Sequence, residues 1–139
     1  MIEPTVALQT AIRSALISAP AVTAMVPANQ IRAGSMRPDN MPAIRLAGGQ
    51  TQFLGNASGA QYVARVVLDL HIWAVEDGAD TAKAIGFAVS NVLKEAPDAD
   101  GFSIDKFSLP AVRWMRDPEP DKAFTHGVIT VVAVLRWSL

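Results

Sequence analysis

The stretch QYVARVVLDLHIWAV, Gln61–Val75, decides the fold of this 139-residue chain. Its residues fall into two sets at a period of two, as in a β-strand whose side chains point alternately to opposite faces. The apolar set is Tyr62, Ala64, Val66, Leu68, Leu70 and Ile72, and the mixed set is Val63, Arg65, Val67, Asp69, His71 and Trp73. The stretch therefore predicts a long strand with one face in the core.

The sequence after this strand predicts a helix and then two more strands. Apolar residues recur at helical spacing over Thr81–Ala96, with Asp80 as the expected N-cap. Phe102–Arg116 and Phe124–Trp137 follow, and the second of these is apolar on both faces. The short connection between the two strands indicates a C-terminal β-hairpin.

The sequence before the strand predicts one helix and shorter extended segments. Pro4–Ser18 has the helical period, and its proline suits a first helical turn. The segments Gln30–Ala33 and Ala43–Ala47 are each compatible with a short strand. The segment GGQTQFLGNASG, Gly48–Gly59, is expected to be either a flexible loop or a hairpin with a mobile tip, because its glycines make one fixed conformation entropically costly.

This order of elements predicts a single α+β domain over residues 1–139. We expect a mainly antiparallel four-stranded sheet with two main helices packed on one face and a C-terminal β-hairpin. The second face of the sheet, with Trp73 and Trp114 as candidate residues, then needs another cover. A neighbouring subunit is the favoured cover, and a long loop of the same chain is the alternative.

Composition narrows the classes of function. Half of the residues are hydrophobic and 18% are charged, which favours a folded domain over disorder. The formal net charge of −1 gives no global basic excess for nucleic-acid binding, although a local basic patch stays open. The absence of cysteine excludes disulfides and thiolate zinc sites. We expect no membrane span, since no apolar run approaches about 18 residues, and no signal peptide, since the first residues lack a basic region.

The segment RDPEPDKAFTHGVI, Arg116–Ile129, concentrates the residue types of metal and acid–base sites. Three of its carboxylates match the first, third and fifth ligands of a calcium loop: Asp117, Glu119 and Asp121. Lys122 stands where the loop needs glycine, and Val128 stands where it needs glutamate, so we expect no metal site. The segment is better explained as a stiff acidic turn whose two prolines break strand pairing, with a strand resuming near Thr125.

Other candidate chemistry is sparse. His71 and His126 are each expected to be strand histidines hydrogen-bonded to a neighbour, with general-base catalysis beside Asp69 as the alternative. No nucleophile elbow, phosphate-binding loop or dinucleotide fingerprint occurs, so neither an enzyme nor a cofactor is expected. The tryptophans are expected to be core or interface aromatics instead of base-stacking platforms: Trp73, Trp114 and Trp137.

Three blocks of the sequence resemble a family of tailed-phage and prophage proteins that was formerly a domain of unknown function. The first is VALQTAIRSALISAPAVTAMV, Val6–Val26, followed by NQIRAG. The second joins LDLHIWAVEDG, Leu68–Gly78, to AKAIGFAVSNVL, and the third is RDPEPDKAFTHGVITVVAVLRW, Arg116–Trp137, with the R-D-P and H-G-V of the family's closing hairpin. The family is similar to the tail terminators, or tail completion proteins, of siphophages and gene transfer agents.

The resemblance implies a non-enzymatic α+β subunit that forms a hexameric ring on the head-proximal end of the tail tube. The ring would be lined by a β-sheet, stop tube polymerisation and provide a docking surface for a head-completion or neck protein. DNA would pass through it without sequence-specific binding. The chain would be made in the host bacterial cytoplasm and reside in the virion neck. The alternatives are another head–tail connector or tail tube component, or a small α+β enzyme or ligand-binding domain.

Two segments are the candidate contact regions. The glycine-rich segment and the Arg116–Lys122 turn would project from the ring to meet the tube or the neck, because such loops order on binding and acidic turns suit partners of complementary charge. The candidate interface residues are Gly48, Gly49, Gln52, Phe53, Gly55, Asn56, Trp73, Arg116, Asp117, Glu119, Asp121, Lys122 and His126. The chain departs from the family pattern at PAIRLAGGQ, which leaves the extent of the first strand open, and at EPDKAF, which predicts a longer, more acidic hairpin loop.

Overall fold

The strand predicted at Gln61–Val75 is the central strand of the sheet. A computed structural model describes residues 1–34, 37–118 and 123–139, and within them five strands lie in the order β1-β2-β3-β5-β4. The elements are α1 Pro4–Ile17, α2 Pro20–Thr23, a 3-10 turn Ala28–Gln30, β1 Ile31–Ala33, β2 Ala43–Ala57, β3 Gln61–Val75, α3 Asp80–Val92, β4 Ser103–Pro118 and β5 Ala123–Ser138.

The sheet is mixed, which corrects the expected four-stranded antiparallel sheet. The four long strands are antiparallel to their neighbours, but β1 pairs parallel to β2, with Ile31 opposite Ile44. The two strands therefore run in the same direction. The α+β class is confirmed, and the short strand expected near Gln30–Ala33 is present.

The second strand is longer than the sequence predicted. It does not end at Ala47 but continues to Ala57 and forms a hairpin with β3, so the hairpin alternative for the glycine-rich segment is the one observed. The register shifts at Gly48 and Gly49, whose φ angles are +67° and +126°. Glycine adopts these angles without the steric cost that a Cβ imposes, so the strand bends there without ending.

The limits of α3 also differ from the prediction. Ala79 is the N-cap, with a φ of 68°, and the assignment of this position to Asp80 is wrong. The backbone N–H of Ala79 donates to Glu76 Oε1 at 3.1 Å, and that of Thr81 donates to Asp77 Oδ1 at 3.2 Å. Earlier carboxylates thus satisfy the exposed amides of the first turn. The helix ends at Val92 instead of Ala96.

The core lies between the helices and one face of the sheet. The apolar set of β3 is buried there as predicted, except Tyr62 at the strand end, which is partly exposed. The largest fully buried side chains outside β3 are Leu8, Ile12 and Leu16 of α1, Ile31 of β1, Ile44 and Leu46 of β2, Ile85 of α3, Leu93 after α3 and Ile129 of β5. In the described part of the chain, no helix is long and apolar enough to cross a membrane.

Trp114 packs between two glycines on this helix-covered face, which corrects its expected place on the second face. A Cβ on Gly127 of β5 would lie 2.4 Å from the ring atom Cζ3, and a Cβ on Gly86 of α3 would lie 2.7 Å from Cη2. Neither glycine has a positive φ. Both positions therefore require glycine because the indole occupies the space of a side chain, not because of backbone strain.

We expect Gly127→Ala to lower the free energy of unfolding by about 1–3 kcal/mol, because its methyl group would enter the space held by the Trp114 ring. Urea denaturation at one fixed protein concentration measures the change. The double variant Gly127→Ala/Trp114→Leu is the control, because a smaller side chain at position 114 leaves room for the methyl group. The packing explanation fails if the alanine costs as much beside leucine as beside tryptophan.

Candidate functional site

Most of the described candidate interface residues lie at one end of β3 or the other. Gly48 and Gly49 do not, because they lie at the bulge of β2, beside Val67 and Asp69 in the middle of β3. The distal part of the β2–β3 hairpin, residues 52–60, adjoins Gln61, and we call it the hairpin end. Trp73, His126 and the segment 37–42 adjoin Val75, and we call this region the histidine end. At about 3.3 Å per residue, β3 separates the two ends by roughly 45 Å. The structure thus forms two candidate surfaces instead of one site.

Two histidines contact each other at the histidine end. His71 of β3 and His126 of β5 project from the second face, and His71 Nδ1 lies 2.8 Å from His126 Nε2. The His126 ring also stacks on Trp73, with ring centroids 3.9 Å apart and planes 9° from parallel. The expectation that each histidine bonds a neighbour is confirmed, and the neighbour of each is the other histidine.

The pKa of both histidines is lowered. Burial lowers the pKa of His71, and the Asp69 carboxylate opposes this effect. Burial also lowers the pKa of His126, the nearby His71 and Arg113 lower it further, and Asp117 opposes them. Two neutral rings can share one N–H···N hydrogen bond, whereas two imidazolium rings at this distance would repel each other.

The segment 37–42 covers part of the second face at this end. The Arg37 guanidinium carbon lies 4.5 Å from the ring centroid of Phe124 and 5.6 Å from that of Trp73. Arg37 Nε is 3.4 Å from Asp117 Oδ2. Trp73 is consequently only 8% exposed. A loop of the same chain, the alternative to a neighbouring subunit, is therefore the cover that the structure shows over these aromatic residues.

The hairpin end is fixed at its base and exposed at its tip. Thr51 Oγ1 donates to Glu3 Oε1 at 2.8 Å, while Glu3 Oε2 accepts the N–H of Val6 and caps α1. This contact ties the base of the hairpin to the first helix. Beyond it, Phe53 is 70% and Leu54 is 49% exposed. The exposed candidate residues of this end are Gln52, Phe53, Gly55 and Asn56.

The acidic turn is described only in part. Glu119, Asp121 and Lys122 lie outside the described residues, as does the expected lengthening of that loop. The prediction that the prolines break strand pairing is wrong for Pro118, which pairs with Ala123, so β5 begins before Thr125. Proline lacks a backbone N–H, but an edge strand needs no N–H donor at positions that face away from its partner strand. Antiparallel pairing can therefore continue through a proline of the edge strand β4.

Two charged residues of the turn are described. Asp117 contacts Arg37, and Arg116 is exposed with its Nε 3.9 Å from Glu76 Oε2. Within the described ranges, no group of three or more His, Asp or Glu side chains could hold a metal ion.

Arg37 and Arg45 are site residues that the sequence reasoning missed. Arg45 lies on β2 opposite His71, is 4% exposed and donates to the carbonyl oxygen of Gln30 at 2.5 Å and to its Oε1 at 3.1 Å. Its position between Ile44 and Leu46 in the AIRLA stretch is the alternation that could have placed it on the second face. No comparable pattern marks Arg37, because it lies in a loop.

Comparison with known proteins identifies the family. The model of the tail completion protein gp17 family matches residues 10–136. The chain belongs to the tail completion protein gp17 family. It has the fold of a chain in the virion of a native gene transfer agent particle, with a TM-score of 0.71, 19% identity, and coverage of 96% of this chain and 99% of that one.

A second structure with this fold is the gp17 protein of bacteriophage SPP1, with a TM-score of 0.55, 24% identity, and coverage of 97% of this chain and 90% of that one. No curated protein matches the chain. Membership of the tail completion family makes this chain a structural protein of a phage or gene transfer agent virion. The resemblance drawn from the three sequence blocks is thereby confirmed.

The histidine pair predicts a loss of stability in acid. The unfolded chain binds protons at these residues with an ordinary pKa near 6.5, whereas the folded pKa values are lower, so the unfolded state binds more protons as the pH falls. The stabilisation is fully present above about pH 6.5 and declines below it. We expect the free energy of unfolding of the His71→Gln/His126→Gln variant to depend less on pH than that of the unmodified chain. Urea denaturation between neutral and mildly acidic pH measures it. Parallel curves for the two proteins would contradict this assignment.

Proposed function

We propose that this tail completion protein is a tail terminator. Copies of it form a closed ring on the head-proximal end of the tail tube, where the ring stops tube growth and presents a docking surface to a head-completion or neck protein. Family membership supports the role in tail completion. The further step to a ring comes from the edges of the sheet.

The observation that supports the ring is a sheet with open edges on both sides. β4 is an edge strand, and its segment from Ala111 to Asp117 has neither a register shift nor a proline to deter pairing. On the other side, β1 pairs with Ile44–Leu46, and no other described strand pairs with this edge of β2 beyond that point. Open edges present unpaired N–H and C=O groups to another chain. Two different edges that meet head to tail generate a ring when the rotation closes.

The two ends of the molecule supply the contacts along the tail axis in this proposal. The hairpin end presents exposed apolar side chains at a glycine-rich tip, and the histidine end adjoins the acidic β4–β5 turn. We assign one end to the tube and the other to the neck. The separation of roughly 45 Å along β3 supports this assignment, because strands that ran along the axis of the proposed ring would put the two ends on opposite rims. A tube subunit or another connector would use the same two edges, and its position in the particle distinguishes it from a terminator.

Ring formation is the central test. We expect negative-stain images and native mass spectra of the purified chain, alone or after addition of tail tubes, to show a closed oligomer. Tubes that have bound the chain should no longer elongate when tube subunits are added. A chain that stays monomeric at high concentration and forms no ring on tubes would refute the proposal. Rings that leave elongation unchanged would favour a connector or tube component.

The hairpin end has its own prediction. Phe53→Ser/Leu54→Ser should weaken attachment to the tube or to the neck protein by roughly tenfold while ring formation persists, because exposed apolar side chains are typical anchors of a contact and leave the core untouched when replaced. Co-sedimentation with each partner measures attachment. Phe87→Ser is the matched control, since Phe87 is 71% exposed on the outer side of α3. Equal effects of both variants would remove the hairpin end from the interface.

A further inference from the structure

The charges of this chain are segregated between its surfaces, although its net charge is close to zero. Alternation along the strands and their register place a set of basic residues on the second face of the sheet. They are Arg32 on β1, Arg45 on β2, Arg65 on β3, Arg136 on β5, and Lys106 and Arg113 on β4. Of the described carboxylates, Asp69 and Asp117 lie on the same face and Asp105 pairs with Arg136. The six cations outnumber them, so the second face is basic.

Strand register arranges these residues in rows. Arg32 lies opposite Arg45, which lies opposite His71, and the row continues across β5 to Arg113. A second row joins Arg65 to Lys106 through the strand between them. The two rows are six residues apart along β3, or roughly 20 Å. Cations thus extend over the breadth of the sheet instead of meeting in one pocket.

Few of these cations have an acidic partner within the chain. Among the described residues, no carboxylate lies at ion-pair distance from Arg32, Arg45, Arg65, Lys106 or Arg113, and of the six only Arg136 has one, with its Nε 2.9 Å from Asp105 Oδ2. Asp69 lies between the rows and accepts a hydrogen bond from Thr130 Oγ1 at 3.1 Å.

Arg45 is the most informative member of the set. Its guanidinium is buried, yet its hydrogen bonds go to neutral oxygen atoms, and burial followed by the charge of Arg32 lowers its pKa. Buried charges are usually paired. A shallow depression of about 420 Å³ adjoins it, lined in part by Arg32, Arg37 and Asp39. A positive charge held without a counterion beside an open surface favours an anion from outside the chain.

The opposite side of the molecule has the reverse balance. The helices and the turns that connect them to the sheet hold an excess of acids, including Glu3, Glu76, Asp77, Asp80, Glu95, Asp98 and Asp100. The cations there are fewer: Arg13, Lys83, Lys94 and Arg116. A polyanion would thus be attracted to one face of the chain and repelled by the other.

We propose that the second face of the sheet binds the phosphate backbone of double-stranded DNA without sequence specificity. The inference rests on the proposed function, because it assumes the ring. A ring whose bore is lined by this face would surround a passing duplex with the basic rows of every copy. Exposed basic side chains such as Arg65, Lys106 and Arg113 suit a repeating phosphate backbone, and such contacts position DNA without reading its sequence.

An acidic protein is the competing occupant, and the arrangement favours it less. Recognition of a single carboxylate usually uses a bidentate arginine within a defined pocket. Here the exposed cations stand apart, with valines and histidines between them. The apolar residues in these rows offer no donors for base edges, which agrees with binding that ignores sequence.

The experiment measures fluorescence anisotropy of a short labelled duplex of mixed sequence, titrated with the full chain in whichever oligomeric state it adopts. We expect binding at low salt that weakens steeply as salt is added, because bound phosphates release counterions. Arg65→Glu/Arg113→Glu should reduce affinity by at least about tenfold, and Arg65→Gln/Arg113→Gln should lie between it and the unmodified chain. Circular dichroism and sedimentation of each variant verify its fold and assembly.

Lys83→Glu/Lys94→Glu is the matched control, because it makes the same change in net charge on exposed residues of the helical side. Its affinity should stay within about twofold of the unmodified chain. Three results would overturn the proposal: no binding at low salt, equal losses in both glutamate variants, or displacement of DNA by polyglutamate at equal charge concentration. The last would identify an acidic protein as the occupant.

The outcome separates this inference from the proposed function. Rings that form and stop tube growth but do not bind DNA would refute the inference alone. DNA binding through Arg65 and Arg113 by a chain that never forms rings would instead refute the tail terminator proposal and leave the basic face established.

Discussion

The uninterrupted pairing of β3 with β5 is the constraint on which the rest of the structure depends. Every residue from Gln61 to Val75 has a partner on β5, without a register shift. A slip by one residue would move each side chain of a strand to the other face of the sheet. Such a slip would expose the apolar set of β3 and separate His126 from Trp73. The core and the histidine end therefore depend on the same register.

The H-G-V motif shows how this register gives three adjacent residues different roles. His126 projects to the second face, where it bonds His71 and stacks on Trp73. Gly127 projects to the helix side, where the Trp114 ring occupies the place of a side chain. Val128 returns to the second face and is buried there. The motif lies in a segment rich in the residue types of acid–base sites, but its His126 and Gly127 each contact an aromatic ring, on opposite faces of one strand.

The second face has two different characters along its length. At the histidine end, Arg37 lies over Trp73 and Phe124, so the chain itself covers these aromatic rings. Away from that cover, the face combines half-buried valines with exposed basic side chains such as Arg65 and Arg113. A sheet wall of this kind suits the bore of a ring better than a large apolar contact between subunits. The open strand edges are the better candidates for joining one copy to the next.

The sequence by itself determined the long central strand, the α+β class, the two main helices and the C-terminal hairpin, because each depends on a local period of apolar residues. It also determined the family, since short sequence blocks in a fixed order can be recognised before their three-dimensional contacts are known. The sequence left the extension of β2 open between a loop and a hairpin, because Gly48 and Gly49 carry no side-chain pattern. Pairing with β3 on both sides of these glycines continues the strand.

Only the tertiary structure decided which residues meet across strands and loops. Each histidine alone was ambiguous, and register placed His71 beside His126. Arg37 lies in a loop without periodicity, so nothing local to it predicts its contact with aromatic rings on other strands. The basic face was hidden for a similar reason. Net charge sums over the whole surface, whereas a charged face arises from the alternation of each strand and the order in which the strands pair.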